Sequence, residues 1–454
     1  MFYQLKQILS QTTAQYADIR YEILGETRIV FNGKELIHIG TNSSDGFVIR
    51  VLKNGGLSSI AFTKLKDASK ALKTAEQNAC LLSINSKKPV EFAKTEVYKD
   101  SFSPVLKEDP RNITIDEKLD LLRKYNDIPL SYEKVITTNI FYNEVIREKF
   151  FLNTEGTEIK EDLITTSIGG LITAKEGSLI QNIRVSGGGS TGFSILRNRE
   201  SEFENRTKIL LELLKAEQAK GGIYNVLINQ DLAGVFTHEA FGHFSEADLI
   251  EDFPSMREKM QIGAVLGIEI LNITDDPTIP GQLGFYKYDD EGVLARPVKL
   301  MKNGILSGRL HSRRTAAAFK ENITGHCVAE DYRYAPIIRM GNIFIEPGDK
   351  KLDEMLDSLG NGLYLLDAKG GQTSGENFTF GAQYGYIIKD GKKAKMIRDI
   401  NISGNLYQTL KNISAVGNDL VFCETGGCGK GQLNIRSCHG GPHILIKELV
   451  VGGV

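Results

Sequence analysis

Apolar and polar residues alternate with two different periods in the first part of the chain. Residues 3–16 and 64–82 carry apolar side chains three or four positions apart, which predicts two helices. Between them, residues 28–40 and 46–63 are rich in β-branched and aromatic residues and contain Asn-Gly turn signals. This pattern predicts neighbouring antiparallel strands joined by tight turns. The opening region should therefore combine a sheet with helices.

The next segments keep switching between these two periods. Residues 94–112 are rich in charged residues and contain two prolines, which predicts a linker. Residues 114–125 have helical spacing, with Thr114 in the position of an N-cap. Residues 132–196 alternate in long runs that are typical of an antiparallel meander, and residues 207–219 predict an amphipathic helix.

After the paired glycines at 221–222, strand-like patterns dominate. A strand turns into a helix near Leu232, and later segments contain the Asn-Gly and Asp-Gly turns that mark hairpins. We therefore expect an α+β fold with two domains. The N-terminal domain, 1–220, should be a mixed α/β region with an antiparallel sheet and a possible internal boundary near 95–112. The C-terminal domain, 221–454, should be β-rich.

Composition narrows the class of protein. The 454 residues are 41% hydrophobic and 25% charged, which excludes a wholly disordered or fibrous chain. The formal net charge is −2, so direct nucleic-acid binding is not expected. The sequence has no apolar run of the ~18 residues that a membrane helix needs and no secretory signal. We expect a soluble cytoplasmic protein, without membrane contact, whose five cysteines are reduced.

The segment HEAFGH at 238–243 carries the most specific chemistry. His238 and His243, with Glu239 beside the first, offer much of what a hydrolytic zinc site needs. Because the two histidines are five residues apart, they would lie roughly 140° apart around a regular α-helix. A π-helical turn, with about 4.4 residues per turn, brings them within roughly 50°. We therefore predict a locally irregular helix here, made easier by the conformational freedom of Gly242.

Two histidines do not hold zinc firmly, so a third ligand is expected from elsewhere in the chain. Cys428 is favoured, because flanking glycines let the backbone approach another group and the adjacent Lys430 would favour the thiolate. The cluster SCHGGPH at 437–443 is the next choice. The full set of candidates from the second half is Cys327, Cys423, Cys428, Cys438, His326, His439 and His443.

Several ordered blocks resemble one known family. HEAFGHFSEAD at 238–248 is similar to the HExxxH signature of the TldD branch of the TldD/TldE (PmbA) metalloprotease family. Further blocks similar to that family lie at 17–22, 46–55, 288–306, 339–349, 370–382 and 426–432. The resemblance thus covers nearly the whole chain. The chain departs from the family pattern at FSEAD after the second histidine and at His326, where Asn is common.

The resemblance implies a zinc metallopeptidase of the catalytic branch. Its ligands would be the two histidines of HExxxH and the cysteine of the CGK block, here His238, His243 and Cys428, with Glu239 as general base toward water. The β-rich C-terminal domain would then carry the zinc-binding helix. Short or unfolded peptides would dock as an added strand in a narrow cavity between subunits. The resemblance also implies a homodimer or a heterodimer with a TldE-like subunit.

Two other hypotheses about function stay open at this point. The chain could be a non-catalytic partner or modulator subunit with a purely structural zinc, which four closed protein ligands would indicate. A modulator of DNA topology is a further hypothesis, although the near-neutral charge argues against direct DNA contact.

Two charged runs outside the motif have plainer interpretations. Asp289, Asp290 and Glu291 are interpreted as a solvated acidic turn rather than a cation site. Arg313 and Arg314 precede an alanine-rich segment and are predicted to begin a helix.

Overall fold

The computed structural model describes residues 1–86, 88–251 and 253–453. The fold is α+β, as the sequence predicts. Among the described residues, seven strands form a first sheet: β1 (Tyr16–Asn32), β2 (Glu35–Lys53), β3 (Gly56–Phe62), β4 (Lys99–Phe102), β5 (Val135–Asn153), β6 (Glu158–Glu176) and β7 (Leu179–Gly189). The helices of this part are α1 (Phe2–Leu9), α2 (Ala68–Asn85), α3 (Ile115–Leu130) and α4 (Glu200–Leu213).

The first sheet is built from long hairpins in the order β3-β2-β1-β5-β6-β4, with β7 also paired to β6. Its pairings are antiparallel, except that β4 runs parallel to β6. Helix α2 packs its alanine face on β3 so closely that a Cβ at Gly56 would lie 1.9 Å from the carbonyl oxygen of Ala79. Small side chains on both surfaces therefore permit this contact.

Several predicted elements differ from the observed ones in their limits. Helix α1 ends at Leu9 instead of residue 16, because the residues after it are mostly polar and β1 begins at Tyr16. The predicted linker contains strand β4. The helix predicted at 207–219 runs from Glu200 to Leu213, since its buried residues begin at Phe203. Thr114 caps α3 as predicted, accepting a hydrogen bond from the Glu117 amide at 3.2 Å.

The second half of the described chain contributes sixteen more strands in three further sheets. They are β8 (Glu217–Gln218), β9 (Gly222–Ile228), β10 (Ile273–Asp275), β11 (Val298–Lys302), β12 (Ile305–Leu306), β13 (Cys327–Val328), β14 (Ile337–Ile338), β15 (Asn342–Ile345), β16 (Gly362–Ser374), β17 (Asn377–Lys389), β18 (Lys392–Arg398), β19 (Ile400–Asn405), β20 (Ile413–Val416), β21 (Val421–Phe422), β22 (Cys438–Gly441) and β23 (Ile444–Gly453). The helices are α5 (Gln230–Phe236), α6 (Ala247–Glu251), α7 (Pro254–Lys259), α8 (Arg313–Phe319), α9 (Leu352–Leu359) and α10 (Leu406–Asn412).

The pairings of this half place one helix between two sheets. Strands β16, β9, β23, β19 and β17 pair in that order, and β17 pairs back to β16, so they form a ring. A second sheet runs β12-β11-β10-β15-β22-β21. Helix α5 and the turns that follow it contact β16 and β17 on one side and β15 and β22 on the other. No helix among the described residues combines the length and the apolar character required to cross a membrane.

The acidic run at 289–291 is buried, so the prediction of a solvated turn is wrong. Its three carboxylate side chains are at most 2% exposed. Lys149 contacts Asp290 at 3.0 Å, and Arg50 contacts Glu291 at 2.8 Å. These cations lie on β5 and β2, more than a hundred residues away in sequence, which is why local sequence pattern misses them.

These pairs belong to a larger set of buried charges between the first sheet and the 289–291 turn. We call this set the buried ionic cluster: Asp18, Arg20, Glu22, Arg50, Arg147, Lys149, Glu161, Asp290 and Glu291. Arg313 begins α8 as predicted, and its amide donates to Glu291 at 2.6 Å. The cluster therefore joins the sheet of the first half to loops of the second.

Candidate metal centre

The predicted irregularity of the HEAFGH segment is confirmed. Asn229 caps α5 by accepting a hydrogen bond from the Leu232 amide at 3.2 Å. The helix then changes to a π-helical turn over Thr237–Gly242 and to a 3₁₀ turn over His243–Ser245. This winding places the rings of His238 and His243 with centroids 5.2 Å apart and planes at 90°. Two side chains that an α-helix would separate are thus neighbours.

Gly242 has a different role from the one predicted. Its backbone is ordinary right-handed helix, with φ −57° and ψ −46°, so no conformational freedom is used. A Cβ at this position would lie 2.1 Å from Met340 Sδ and 2.9 Å from Ile343 Cδ1. The glycine therefore lets the turn pack directly on residues beside and in β15.

Four of the candidate side chains converge at this turn. One ligating atom each of His238, Glu239, His243 and Cys428 lie within 4.8 Å of one another. Cys428 Sγ and Glu239 Oε2 both lie 3.6 Å from His243 Nε2. His238 is buried, and neither of its ring nitrogens has a hydrogen-bond partner among the described residues. Buried polar atoms normally find partners, so this histidine presents a free lone pair toward the cluster.

The side chains of the cluster shift the pKa values of one another. Burial, followed by the nearby His243, holds the pKa of His238 well below its ordinary value, so this ring is neutral. Burial would also lower the pKa of His243, but its contacts with Cys428 and Glu246 raise it to about 9. For Cys428, burial raises the thiol pKa, and the contacts with His243 and Arg339 outweigh it, so the pKa falls. The cluster therefore offers a neutral imidazole at His238, and His243 and Cys428 each favour the charged form of the other.

A second layer of charged residues holds these side chains in place. Glu246 is fully buried, and its carboxylate lies 3.5 Å from His243 Nδ1. Arg339 and Lys430 contact the same carboxylate at 2.9 Å each, and Lys430 also contacts Asp248 at 2.9 Å. Lys430 was expected to favour the Cys428 thiolate. In the structure it ties the loop of Cys428 to the residues that follow HEAFGH.

Arg339 is a residue of the candidate site that sequence reasoning missed. It begins the block RMGNIFIEPGD, whose pattern indicates a strand and carries no sign of a site. Its partner Glu246 lies 93 positions earlier in the chain. A buried arginine in an otherwise apolar segment was the available signal, because such a charge needs a buried counter-charge.

The other candidate ligands lie outside the four-residue cluster. His326 pairs with Asp275 at 3.0 Å, and His443 lies 2.6 Å from Asp419. Cys327 is buried beside the acidic turn, where its amide donates to Asp289. The remaining three, Cys423, Cys438 and His439, form a separate group next to His238.

The sequence is similar to known proteins along nearly its whole length. Three family models match in succession: domain 1 of the PmbA/TldA metallopeptidases over residues 17–79, the central domain over 108–220 and the C-terminal domain over 221–453. A metalloprotease of Synechocystis sp. is 33% identical over 446 residues, which cover 98% of this chain and 96% of that protein. The chain belongs to the PmbA/TldD metallopeptidase family. A zinc metalloprotease TldD homolog of Saccharolobus solfataricus is 30% identical over 100% of both chains.

Solved structures share the fold of this PmbA/TldD family member. TldE from Thermococcus kodakarensis superposes with a TM-score of 0.80 at 18% identity, covering 99% of this chain and 100% of that one. A Thermotoga maritima protein described as a candidate modulator of a DNA gyrase superposes with a TM-score of 0.82 at 20% identity over 100% of both chains. At such low identity these likenesses establish the fold alone.

Proposed function

We propose that this PmbA/TldD family member is a zinc-dependent metallopeptidase of the HExxxH type. His238, His243 and Cys428 would hold the zinc ion, and Glu239 would act as general base. The observation that carries the proposal is the convergence of these four side chains around a buried His238 whose ring nitrogens have no described protein partner. The relative named as a zinc metalloprotease supports the choice of metal.

The donor set fits zinc rather than a harder cation. Imidazole nitrogen and thiolate sulfur are the ligands that zinc takes, whereas calcium and magnesium take oxygen. Three protein ligands with a nearby carboxylate also match the open arrangement of catalytic sites, because a structural site closes with four. When bound, zinc would supply Lewis acidity that polarises a peptide carbonyl and makes water more acidic.

The surroundings of Glu239 support the proposed role in proton transfer. Its carboxylate lies 3.6 Å from His243 Nε2, and its side chain is 26% exposed, so substrate and water reach it. Thr373 Oγ1 donates to the Glu239 carbonyl at 3.1 Å and fixes the backbone of this residue. Glu239 would take the proton of the attacking water and pass it to the leaving amine nitrogen.

The substrates we propose are short or unfolded peptides that dock as an added strand. Pairing through the main chain would give loose sequence preference. We further propose that the chain works in the cytoplasm, as a homodimer or as a heterodimer with a TldE-like subunit; the fold shared with TldE supports this choice of partner. The division into domains at 1–220 and 221–454 stays a prediction.

The test is hydrolysis of an unstructured peptide by the purified chain, with zinc content measured in the same samples. Glu239→Gln should lower the rate by about 10²–10⁴-fold and leave zinc bound, because it removes the base without removing a ligand. Glu258→Gln, an exposed change on α7, is the matched control and should leave both quantities unchanged. Cys428→Ser should lower zinc content.

Two results would contradict the proposal. Equal hydrolysis by the original chain and Glu239→Gln would remove Glu239 as the base. Tight zinc binding without hydrolysis of any peptide by the original chain, alone or with a TldE-like subunit, would favour a structural zinc in a modulator subunit.

A further inference from the structure

Two cysteines lie side by side where the loop that carries Cys428 begins and ends. Strand β21 ends at Phe422 and β22 begins at Cys438, and these strands pair antiparallel. The Cys423 amide extends the pairing by donating to the His439 carbonyl at 2.9 Å. As a result, Cys423 Sγ and Cys438 Sγ are only 3.3 Å apart. A disulfide needs a separation of about 2.05 Å, which small side-chain rotations could supply.

The two thiols have different chemical environments. The amide of His439 donates to Cys423 Sγ at 3.2 Å. The hydrogen bond from Cys438 lowers the pKa of Cys423 well below its ordinary value, although burial opposes the shift. The same contact, together with burial, raises the pKa of Cys438. Cys423 is therefore the more acidic thiol of the pair, and Cys438 is the less acidic one.

The Cys423 thiol is also more accessible to small molecules than the Cys438 thiol. Cys423 lines a cleft of about 480 Å³ between the β21–β22 end and residues of β7 and α4, with Arg199 and Arg206 on its wall. Cys438 is fully buried behind it. A small molecule entering the cleft therefore meets Cys423 first, and Cys438 is in position only for a later step.

We propose that Cys423 and Cys438 form a redox-active pair that reacts with hydroperoxides. The Cys423 thiolate attacks one peroxide oxygen and breaks the O–O bond, which gives a sulfenic acid and, after the other oxygen takes a proton, water or an alcohol. Cys438 then attacks the sulfenic sulfur, the S–O bond breaks, and the released hydroxide takes the Cys438 proton and leaves as water. The two thiols lose two electrons in total, and the peroxide gains them.

The product would be a disulfide that closes the loop 424–437. This loop presents Cys428, whose backbone pairs with Ile435 across the loop, and it contains Lys430, which contacts Glu246 and Asp248. Oxidation would thus join the two ends of the loop without using the Cys428 thiolate. The inference stands on the loop geometry and does not depend on peptide hydrolysis.

The test treats the purified full-length chain with hydrogen peroxide, blocks free thiols and digests without reduction. Trypsin together with a protease that cuts after glutamate separates Cys423 from Cys428 at Glu424. We expect a cross-linked peptide joining Cys423 to Cys438, 2 Da lighter than the separate peptides and lost after dithiothreitol. A cross-link through Cys428, or an irreversible sulfinic acid at Cys423 without a cross-link, would overturn the proposal.

Cysteine variants test which thiol reacts with the peroxide and which thiol then forms the disulfide. Cys438→Ser should stop at the sulfenic acid, detected as a dimedone adduct on Cys423. Cys423→Ser should consume peroxide at least ten times more slowly and show no adduct on Cys438. Cys80→Ser, on α2, is the control and should react at the original rate. Peroxide consumption by Cys423→Ser at the original rate would contradict the assignment, and the wild-type cross-link is decisive if a variant does not fold.

Discussion

The buried ionic cluster and the candidate metal centre treat buried polar groups in opposite ways. In the cluster, Asp290 is 1% exposed and meets the cations of Lys149 and Arg147 at 3.0 and 3.2 Å. In the metal centre, His238 is 5% exposed and has no described hydrogen-bond partner. Because a buried polar group costs free energy unless it is paired, the first arrangement is typical of a structural role and the second fits the proposed ligand site.

The pKa shifts of Asp290 and His238 also differ in their causes. Burial alone would raise the pKa of Asp290, but Arg147, Lys149 and Arg20 hold it well below its ordinary range. For His238, burial and the neighbouring His243 act in the same direction and keep the ring uncharged. A compensated charge is typical of a structural contact, and a buried neutral histidine without a partner, among other side chains that can ligate a metal, is typical of a binding site.

The largest effect is expected when the negative charge of Asp290 is removed from the buried ionic cluster. Asp290→Asn should lower the free energy of unfolding by about 3–5 kcal/mol, because it leaves buried cations without their counter-charge. Denaturant unfolding measures this. Asp349→Asn is the matched control: its carboxylate is 84% exposed and pairs with Lys350 at the surface, so a change of no more than about 1 kcal/mol is expected.

The pH dependence of the same variant gives an independent check. A carboxylate with a lowered folded-state pKa contributes stability above its unfolded pKa, about 4, and loses it as pH falls. The original chain should therefore lose this contribution below about pH 4, and Asp290→Asn should lack that part of the loss. Equal stability of the two chains at pH 7 would show that the cluster does not depend on Asp290.

The two regions also differ in how far the sequence predicts them. The π-helical turn follows from the spacing of His238 and His243, because winding is a local property. The burial of Asp290 could not be predicted, since its cations come from β1 and β5 and only the folded sheet brings them together. Long hairpins such as β5–β6 were predicted from alternation, whereas the ring closed by β16 and β17 depends on pairings that no local pattern encodes.

Lys430 forms ion pairs with Glu246 and Asp248 beside the metal centre. Replacing Lys430 tests whether zinc binding depends on these ion pairs. Lys430→Met should lower zinc affinity by about 10–100-fold, because the loop of Cys428 loses its contacts with Glu246 and Asp248. Competition with a zinc indicator measures the affinity. Lys411→Met, near the end of α10, should leave it unchanged. An unaltered affinity in Lys430→Met would mean that the loop is positioned without this contact.

Packing at Gly242 is the next, smaller test of the metal centre. Gly242→Ala should cost about 1–3 kcal/mol of stability, because the new Cβ meets Met340 Sδ and Ile343 Cδ1. Thermal or denaturant unfolding measures the cost. In a Met340→Ala background the same substitution should cost less, because the closest atom is gone. Additive effects in the double variant would contradict the close-packing explanation of this glycine.

The last test compares how the two regions respond to pH. Near neutral pH the metal-free centre has a neutral His238 and a protonated His243, whose pKa is about 9, so zinc must displace at least the proton of His243. Zinc affinity should therefore rise by at least about tenfold per pH unit from pH 6.5 to about 9 and then level off. The contribution of Asp290 to stability should be constant over this range, since that carboxylate titrates only in acid. Titration of the metal-free chain with zinc at several pH values measures the slope, and a flat affinity between pH 6.5 and 8 would contradict the charge states assigned to the centre.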